Sequence, residues 1–247
     1  MRTKLVSLML LFAASFTTAN AETTNSAVAG NETSVKNTIE TATVNETDED
    51  CCAKATADNG KKKMLLVVDC QYDFITGSLK APNSEPVIKK LAQYISNNEY
   101  AVKVFTCDWH PANHSSFKDF GGIWPAHCVQ HTKGAAVYED LTKAAFATKG
   151  DVFILEKGDN VKVEEYSIFD NAKSSAMLSD IVKKYGIEEI EICGIATEYC
   201  VKGSLEGAIK AFGPKMMTIL KNYICPITDP NALDPVIKKF NLRVSNK

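Results

Sequence analysis

Arginine is almost absent from this 247-residue sequence, in which Arg2 and Arg243 are the only arginines among 28 basic residues. Arginine usually recognises phosphate and guanine, because its planar guanidinium donates two parallel hydrogen bonds. The net charge of -2 and the isoelectric point near 6.1 also indicate no basic surface for nucleic acid or an anionic membrane. The composition therefore argues against a nucleic-acid or phosphate-rich ligand, although lysine alone can bind phosphate.

Long apolar runs are also missing, apart from one near the N-terminus. Leu5–Phe16 is apolar but too short for a comfortable membrane span, and two basic residues precede it. An A-x-A sequence ending at Ala21 fits signal-peptidase cleavage, and the absence of a cysteine after it excludes the lipoprotein pattern. We expect residues 1–21 to be a signal peptide and the mature chain, beginning at Glu22, to be secreted or periplasmic without stable membrane insertion. A cytosolic protein with an apolar N-terminus is the alternative.

Aromatic residues are missing between Glu22 and Lys63, a stretch rich in Thr, Asn, Glu, Ala and Lys. Such a segment buries too little apolar surface to offset the entropy lost on ordering. We therefore expect residues 22–63 to be a disordered polar linker and residues 64–247 to form the folded domain. Glycosylation sequons at Asn31 and Asn45 have a meaning only if the source is eukaryotic.

Cysteine, by contrast, is well represented, with eight residues. An even number in an exported chain suggests disulfides. The later cysteines, however, lie in apolar, strand-like runs, and we interpret most of them as buried thiols. Cys51 and Cys52 are adjacent in the polar linker and could pair with each other or with another chain, which the sequence leaves open.

From Met64 onward, segments with strand character alternate with segments of helical spacing. The expected strands are Met64–Asp69, Val102–Cys107, Val152–Leu155, Glu189–Cys193, Met216–Leu220 and Leu242–Val244. The expected helices are Glu85–Asn97, Ala135–Ala147, Ser174–Tyr185, Thr197–Phe212 and Asp234–Phe240. This alternation predicts right-handed βαβ units and a parallel sheet covered on both faces.

Unlike polar residues follow successive strands of this predicted sheet. Asp69 ends the first strand, Asp108 follows the second, Lys157 follows the third, and Cys200 opens the helix after the fourth. Ligands of open α/β sheets bind beyond the carboxyl ends of the strands. The four residues are therefore predicted to share one active site.

Cys200 is the candidate nucleophile. A helix N-terminus favours the thiolate, and its free N–H groups could also stabilise an oxyanion. Asp69 could act as the base, and Lys157 could be the positive neighbour that a thiol nucleophile needs. Each residue also has a plain structural explanation, since an isolated cysteine is often buried, an aspartate often caps a turn, and a lysine is usually solvated.

Histidine is scarce, and all four histidines lie between Asp108 and His131. An Asp-x-His pair, Asp108 and His110, precedes a later His127, and such a mixed oxygen and nitrogen set suits Zn, Mn or Fe. Three protein ligands would leave coordination positions open for water or substrate. The alternative is a polar loop with incidental histidines.

Four blocks of the chain carry a family resemblance. They are Val68-Asp69-Cys70-Gln71-Tyr72-Asp73-Phe74, Asp108-Trp109-His110-Pro111-Ala112-Asn113-His114-Ser115-Ser116-Phe117, Trp124-Pro125-Ala126-His127-Cys128-Val129 and Gly194-Ile195-Ala196-Thr197-Glu198-Tyr199-Cys200-Val201. Two shorter matches, at residues 156–158 and 166–169, lie between the last two blocks. With these blocks in this order, the chain from Met64 to about Phe240 resembles nicotinamidases of the isochorismatase-like cysteine hydrolase superfamily.

The resemblance implies a three-layer fold, with a central, mostly parallel six-stranded sheet and helices on both faces. It implies that Cys200 is the nucleophile, Asp69 the general base and acid, and Lys157 the cation that favours the thiolate. The implied ligands of one divalent metal, zinc with Mn or Fe as alternatives, are Asp108, His110 and His127. His114 matches a position that is a ligand in some relatives and lies behind the ligands in others.

The resemblance also implies a cis peptide between Ile195 and Ala196, which shapes an oxyanion hole from the N–H groups of Ala196 and Cys200. The residues expected to line the pocket for the pyridine ring are Phe74, Trp124 and Tyr166, for which core packing is the alternative. The implied reaction converts nicotinamide, or its analogue pyrazinamide, to the acid and ammonia through a thioester. Whether the protein forms a homo-oligomer is left open by the sequence.

Two other functions compete with this one: hydrolysis of another small amide, and metal binding without catalysis. The chain also departs from many relatives, which have Pro-Gly-Gly after the first Asp-Phe. Here the run is Asp73-Phe74-Ile75-Thr76-Gly77-Ser78-Leu79, with a single glycine. The departure affects the expected shape of this loop rather than the chemistry.

Overall fold

A computed structural model describes residues 60–246. The predicted signal peptide, Glu22 as the first mature residue, the sequons, and Cys51 and Cys52 all lie outside the described residues and stay predictions. Lys63, which we assigned to the linker, is the first residue of a strand, because it pairs with Glu189 of a neighbouring strand. Among residues 60–246, no helix combines the length and apolar character of a membrane span.

Strands and helices alternate along the described chain. The strands are β1 (Lys63–Val68), β2 (Val102–Asp108), β3 (Asp151–Lys157), β4 (Glu189–Ile195), β5 (Met217–Cys225) and β6 (Arg243–Ser245). The helices are α1 (Tyr72–Ile75), α2 (Ser84–Ser96), α3 (Glu139–Ala147), α4 (Ala172–Tyr185), α5 (Lys202–Phe212) and α6 (Asp234–Phe240). The six strands form one sheet in the order β3-β2-β1-β4-β5-β6, and every pairing is parallel.

The alternation of side chains along β1 explains the three layers. Met64, Leu66 and Val68 face one side, where α4, α5 and α6 cover the sheet, while Leu65 and Val67 face α2 and α3 on the other. All five side chains are fully buried, and burying each stabilises the fold by roughly 1.5–3 kcal/mol. The predicted α/β architecture with helices on both faces is therefore confirmed.

The described cysteines are buried thiols, as the sequence predicts. They are Cys70, Cys107, Cys128, Cys193, Cys200 and Cys225, and none of these six forms a disulfide.

Two predicted helices begin differently in the structure. The helix expected at Ala135 begins at Glu139, because Val137 pairs with Gln71 and the N–H of Tyr138 donates to the carbonyl of Cys70 at 2.9 Å. These contacts hold residues 136–138, directly before Glu139, in an extended conformation. The helix expected from Thr197 begins with one turn of π-helix, and α5 follows it.

Strand β5 is longer than predicted, because it continues past Leu220 to Cys225. A register shift in the β4–β5 pairing, between Ile192 and Gly194, lets the far half of β5 follow β4 to its end. Gly194 allows this pairing, because β4 passes very close to β1 at this residue. Its φ is 126°, and a Cβ at this position would lie 2.0 Å from the carbonyl oxygen of Val68 on β1.

Replacing Gly194 with alanine should lower the free energy of unfolding by about 3 kcal/mol or more, since the added methyl group overlaps backbone that cannot move aside. The matched control is Gly121→Ala, where φ is also positive, at 92°, but nothing lies within 4 Å of the added Cβ. Its cost should be only about 1 kcal/mol. Urea denaturation measures both, and equal losses would contradict the close approach of β4 to β1.

Candidate active site

Four polar residues meet at the carboxyl edge of the sheet. Asp69 follows β1, Asp108 ends β2, and Lys157 ends β3 opposite Asp108 in the parallel register. Cys200 lies in the π-helical turn after β4. Parallel strands bring their carboxyl ends to one edge, so the topology assembles the four side chains, and all of them are buried.

The ammonium group of Lys157 is at the centre of this group. Its Nζ lies 3.0 Å from Oδ2 of Asp69 and 3.7 Å from Sγ of Cys200, and it donates a short hydrogen bond to Oδ1 of Asp108. It also donates to the carbonyl oxygen of Glu165 at 3.0 Å. A buried ammonium is stable only when its protons have acceptors, and these contacts supply them.

Burial and charge together set the protonation states. Burial disfavours the ammonium, but Asp108 and Asp69 outweigh it and raise the pKa of Lys157 well above its usual value. Burial raises the pKa of Cys200 well above that of an ordinary thiol; Lys157 opposes this shift, and the charge of Asp69 adds to it. Burial likewise raises the pKa of Asp69. Lys157 therefore lowers the pKa of Cys200, but burial and the neighbouring carboxylates outweigh it, so the balance favours the protonated thiol beside a carboxyl group of raised pKa.

Thr106 on β2 fixes the orientation of Asp69. Its Oγ1 donates to Oδ1 of Asp69 at 2.6 Å, and its carbonyl accepts the N–H of Asp69 at 3.1 Å. Asp69 has a φ of 48°, in the left-handed region that aspartate tolerates better than most residues. Thr106 was not predicted as a site residue. Its polar side chain within the apolar run of β2 was the feature that could have indicated a role.

Asp108, His110 and His127 form a buried group whose ligand atoms lie within 4.8 Å of one another. Nδ1 of His110 lies 2.9 Å from the carbonyl of Gly158, and Nδ1 of His127 lies 2.8 Å from the carbonyl of Pro125. A carbonyl only accepts, so both Nδ1 atoms carry the proton and both Nε2 atoms present lone pairs.

These two lone pairs converge on one carboxylate oxygen. Oδ2 of Asp108 lies 3.6 Å from Nε2 of His110 and 3.9 Å from Nε2 of His127, and Nε2 of His110 is buried without a hydrogen-bond partner. Ligand atoms around a tetrahedral zinc are about 3.3 Å apart, given bond lengths of about 2.0–2.1 Å. The residues therefore fit a divalent metal, since three acceptor atoms face one another when both imidazoles are neutral.

The protonation states of this group suit a cation. Burial opposes ionisation of Asp108, but Lys157 and His110 outweigh it and hold the pKa of Asp108 well below its usual range. Burial lowers the pKa of His127, which keeps its imidazole neutral. For His110, burial is outweighed by the hydrogen bond and charge of Asp108, which raise its pKa in the absence of a metal.

His114 lies behind this group. Its Nδ1 lies 2.7 Å from Oγ of Ser116 and its Nε2 lies 3.1 Å from the carbonyl of Val163, so both ring nitrogens have protein partners. The ring stacks on His110 with centroids 4.2 Å apart. This geometry favours a supporting position over a ligand. A carboxylate oxygen of Glu164, which the sequence analysis missed, lies within 4.8 Å of ring nitrogens of His110 and His114.

Two side chains from the first motif fix the backbone that carries these ligands. Gln71 clamps Asp108, since its Oε1 accepts the N–H of Asp108 at 2.8 Å and its Nε2 donates to the carbonyl at 2.7 Å. Asp73 accepts the N–H of Cys128, next to His127, at 2.7 Å. A Cβ on Gly77 would lie 2.2 Å from the Asp73 carboxylate. The single glycine of this turn therefore stands where a side chain would overlap that carboxylate.

The two groups open onto one small cavity. Its walls are Phe74, Leu79, Asp108, Trp124, His127, Glu164, Tyr166, Ala196, Tyr199, Cys200 and Ile227. All three aromatic residues predicted for the pocket lie here, and Nε1 of Trp124 donates to Oη of Tyr166 at 3.2 Å. Leu79, Tyr199 and Ile227 were missed, because an apolar residue gives no sequence signal that separates a pocket wall from the core.

The backbone near Cys200 contains the predicted cis peptide. The peptide bond between Ile195 and Ala196 is cis, and Ala196 lies on the cavity wall with Cys200. The oxyanion-hole role of the two N–H groups stays a prediction.

Comparison with known proteins agrees with this geometry. A family model described as the isochorismatase domain matches residues 63–213. A nicotinamidase of Escherichia coli (strain K12) is 32% identical over 169 residues, which cover 60% of this chain and 76% of that protein.

Solved structures agree as well. A pyrazinamidase of Pyrococcus horikoshii, crystallised in complex with zinc, is 30% identical with a TM-score of 0.61, over 75% of this chain and 99% of that one. PnC1 of L. infantum, crystallised in complex with nicotinate, is 27% identical with a TM-score of 0.65, over 75% and 92%. The chain therefore belongs to the isochorismatase family, in the nicotinamidase group of hydrolases that cleave carboxamide bonds.

Replacing His127 with alanine should weaken zinc binding by about a hundredfold or more, because one of three converging ligand atoms is lost. His114→Ala should weaken it by less than about tenfold, since both ring nitrogens already bind other protein groups. Competition with a chromogenic chelator measures both affinities. An unchanged affinity in His127→Ala, or an equal loss in the two variants, would contradict the assigned ligand set.

Proposed function

We propose that this amidase hydrolyses nicotinamide to nicotinate and ammonia. One observation carries the proposal: Cys200 and the group of Asp108, His110 and His127 adjoin one small cavity with aromatic walls. The cavity suits a flat ring with one carboxamide, which could point at the thiol while the ring lies between Phe74 and Tyr166. The nicotinamidases among the relatives support the same substrate.

In the first half-reaction, Asp69 takes the proton of the Cys200 thiol as the sulfur attacks the carboxamide carbon. The raised pKa of Asp69 makes it a better base for this transfer. The C–N bond then breaks, Asp69 returns the proton to the leaving nitrogen, and ammonia departs. The ring acid is left as a thioester on Cys200.

In the second half-reaction, water attacks the thioester carbon and Asp69 takes its proton. The C–S bond breaks, the electron pair returns to sulfur, and the nearby ammonium of Lys157 stabilises the thiolate at 3.7 Å. The proton then passes from Asp69 to Cys200, and the acid ionises and leaves as nicotinate, its remaining proton going to solvent. The N–H groups of Ala196 and Cys200 are the proposed oxyanion donors in both halves.

Asp108, His110 and His127 would hold one divalent metal, for which zinc is the proposed identity and Mn or Fe the alternatives. When bound, such a cation would supply Lewis-acid chemistry at the cavity wall and a binding point for an electron pair of the substrate. Holding the ring in one orientation would bring the carboxamide to the thiol.

The direct test is release of ammonia by the purified protein from nicotinamide, pyrazinamide and a panel of aliphatic amides. We expect turnover of the two aromatic amides and little turnover of the panel. Cys200→Ala should lower turnover by at least about a thousandfold, because it removes the nucleophile. Cys193→Ala is the matched control, since Cys193 is also a buried thiol but lies outside the cavity.

Preferred turnover of an aliphatic amide would favour another member of the amidase family. Metal binding without any turnover would instead indicate a non-catalytic protein. Substantial activity in Cys200→Ala would rule out the thioester route.

A further inference from the structure

The segment after β5 forms part of the cavity wall. Within Pro226–Pro230, Ile227 lines the cavity, and its segment contacts the turn that carries Cys200. Prolines at both ends lack an N–H, so the N–H donors of the segment are those of Ile227, Thr228 and Asp229. What these three groups bind therefore decides where Ile227 sits.

All three N–H groups donate to one carboxylate, that of Glu198. The N–H of Ile227 lies 3.2 Å from both carboxylate oxygens, and that of Asp229 lies 3.1 Å from Oε1. Thr228 donates twice to the same oxygen, from its N–H and, at 2.9 Å, from its hydroxyl. The segment thus closes around Glu198 as a small anion-binding nest.

These hydrogen bonds depend on the negative charge of Glu198. Burial disfavours that charge, but the hydrogen bonds from the backbone outweigh burial and hold the pKa of Glu198 below its usual value. Hydrogen bonds to an ionised acceptor are about twice as strong as neutral ones. The contact is therefore a strong link between the π-helical turn and the segment that carries Ile227.

We propose that Glu198 is a positioning residue that holds Ile227 against the substrate ring and so determines which ring sizes the enzyme accepts. The inference rests on the proposed function, since it concerns the same cavity. Within residues 60–246, the groups of other residues that donate hydrogen bonds to the Glu198 carboxylate belong to Ile227, Thr228 and Asp229. Asp69 and Lys157 are not among them. Loss of the Glu198 carboxylate should therefore affect ring binding more than the bond-breaking steps.

The test compares Glu198→Gln with wild type on nicotinamide and on quinoline-3-carboxamide, a bicyclic analogue. The glutamine side chain has the size of glutamate but no charge. Its NH2 group would also face the N–H donors of Ile227–Asp229, with which it cannot form hydrogen bonds. We expect the KM for nicotinamide to rise about tenfold, because charged hydrogen bonds to the wall are lost. We expect kcat to change by less than about threefold, because the reacting groups are untouched.

The preference for nicotinamide over the bicyclic amide, measured as a ratio of kcat/KM values, should fall about tenfold. Glu198→Asp keeps the charge and should recover part of the KM and of the preference. Glu206→Gln on α5 is the matched control, because it makes the same change on an exposed glutamate outside the cavity and should behave as wild type.

A second variant, Ile227→Ala, removes the wall directly and guards against misfolding of Glu198→Gln. It should reproduce the lost preference, and the double variant should be no worse than either single one, since both act through the same contact. A fall in kcat with unchanged KM and preference, or additive effects in the double variant, would overturn the proposal.

The wild-type protein in the same assay separates the two levels of inference. No turnover of nicotinamide by wild type would overturn the proposed function, and this inference with it. Wild-type turnover together with an unchanged preference in Glu198→Gln and Ile227→Ala would overturn this inference alone.

Discussion

The ammonium of Lys157 lies between the carboxylates of Asp69 and Asp108, out of contact with solvent. Removing one partner of such a buried pair typically costs about 3–5 kcal/mol, because the remaining charge has no substitute for water. Cys200 and the group of Asp108, His110 and His127 both adjoin this ion pair. One of the carboxylates faces Cys200, and the other shares its second oxygen with two histidines.

The ion pair also sets the character of the nucleophile. Lys157 lowers the pKa of the Cys200 thiol, but burial, together with the charges of Asp69 and Asp108, outweighs it and raises the pKa. The resting thiol then needs a base at the moment of attack. In the proposed mechanism Asp69 is that base, since burial raises its pKa and Thr106 donates a hydrogen bond to one of its oxygens.

Most of the site follows from the sequence, because parallel topology alone gathers residues that end successive strands. Asp69, Asp108 and Lys157 were predicted from that rule and from the motifs. The partners Gln71 and Glu198 were not assigned roles, although both lie inside the motifs, because their hydrogen bonds reach backbone that is distant in sequence. Local spacing carries no information about which distant amide a side chain will meet.

Other features of the structure depend on tertiary contacts that local sequence spacing does not show. The sequence predicted a helix from Ala135, but pairing of Val137 with Gln71 keeps the preceding residues extended, so a tertiary contact overrides local helical spacing. The motif predicted that Lys157 favours the thiolate of Cys200, and Lys157 does lower that pKa; the opposing effect of burial could not be predicted, because burial is a property of the folded chain. His114 matches a position that is a ligand in some relatives and lies behind the ligands in others, and the partners of both its nitrogens favour the second position.

The pH dependence of Cys200 alkylation by iodoacetamide, followed by peptide mapping in chelator-treated protein, tests this account most directly. Burial and Asp69 raise the pKa of Cys200, so the thiolate should form, and alkylation should accelerate, only above the usual thiol range of about 8.5. Asp69→Asn removes a negative neighbour, so its midpoint should lie at lower pH than that of wild type. Rapid alkylation near neutral pH in wild type, with no shift in Asp69→Asn, would reveal a resting thiolate and contradict the role of Asp69 as the base.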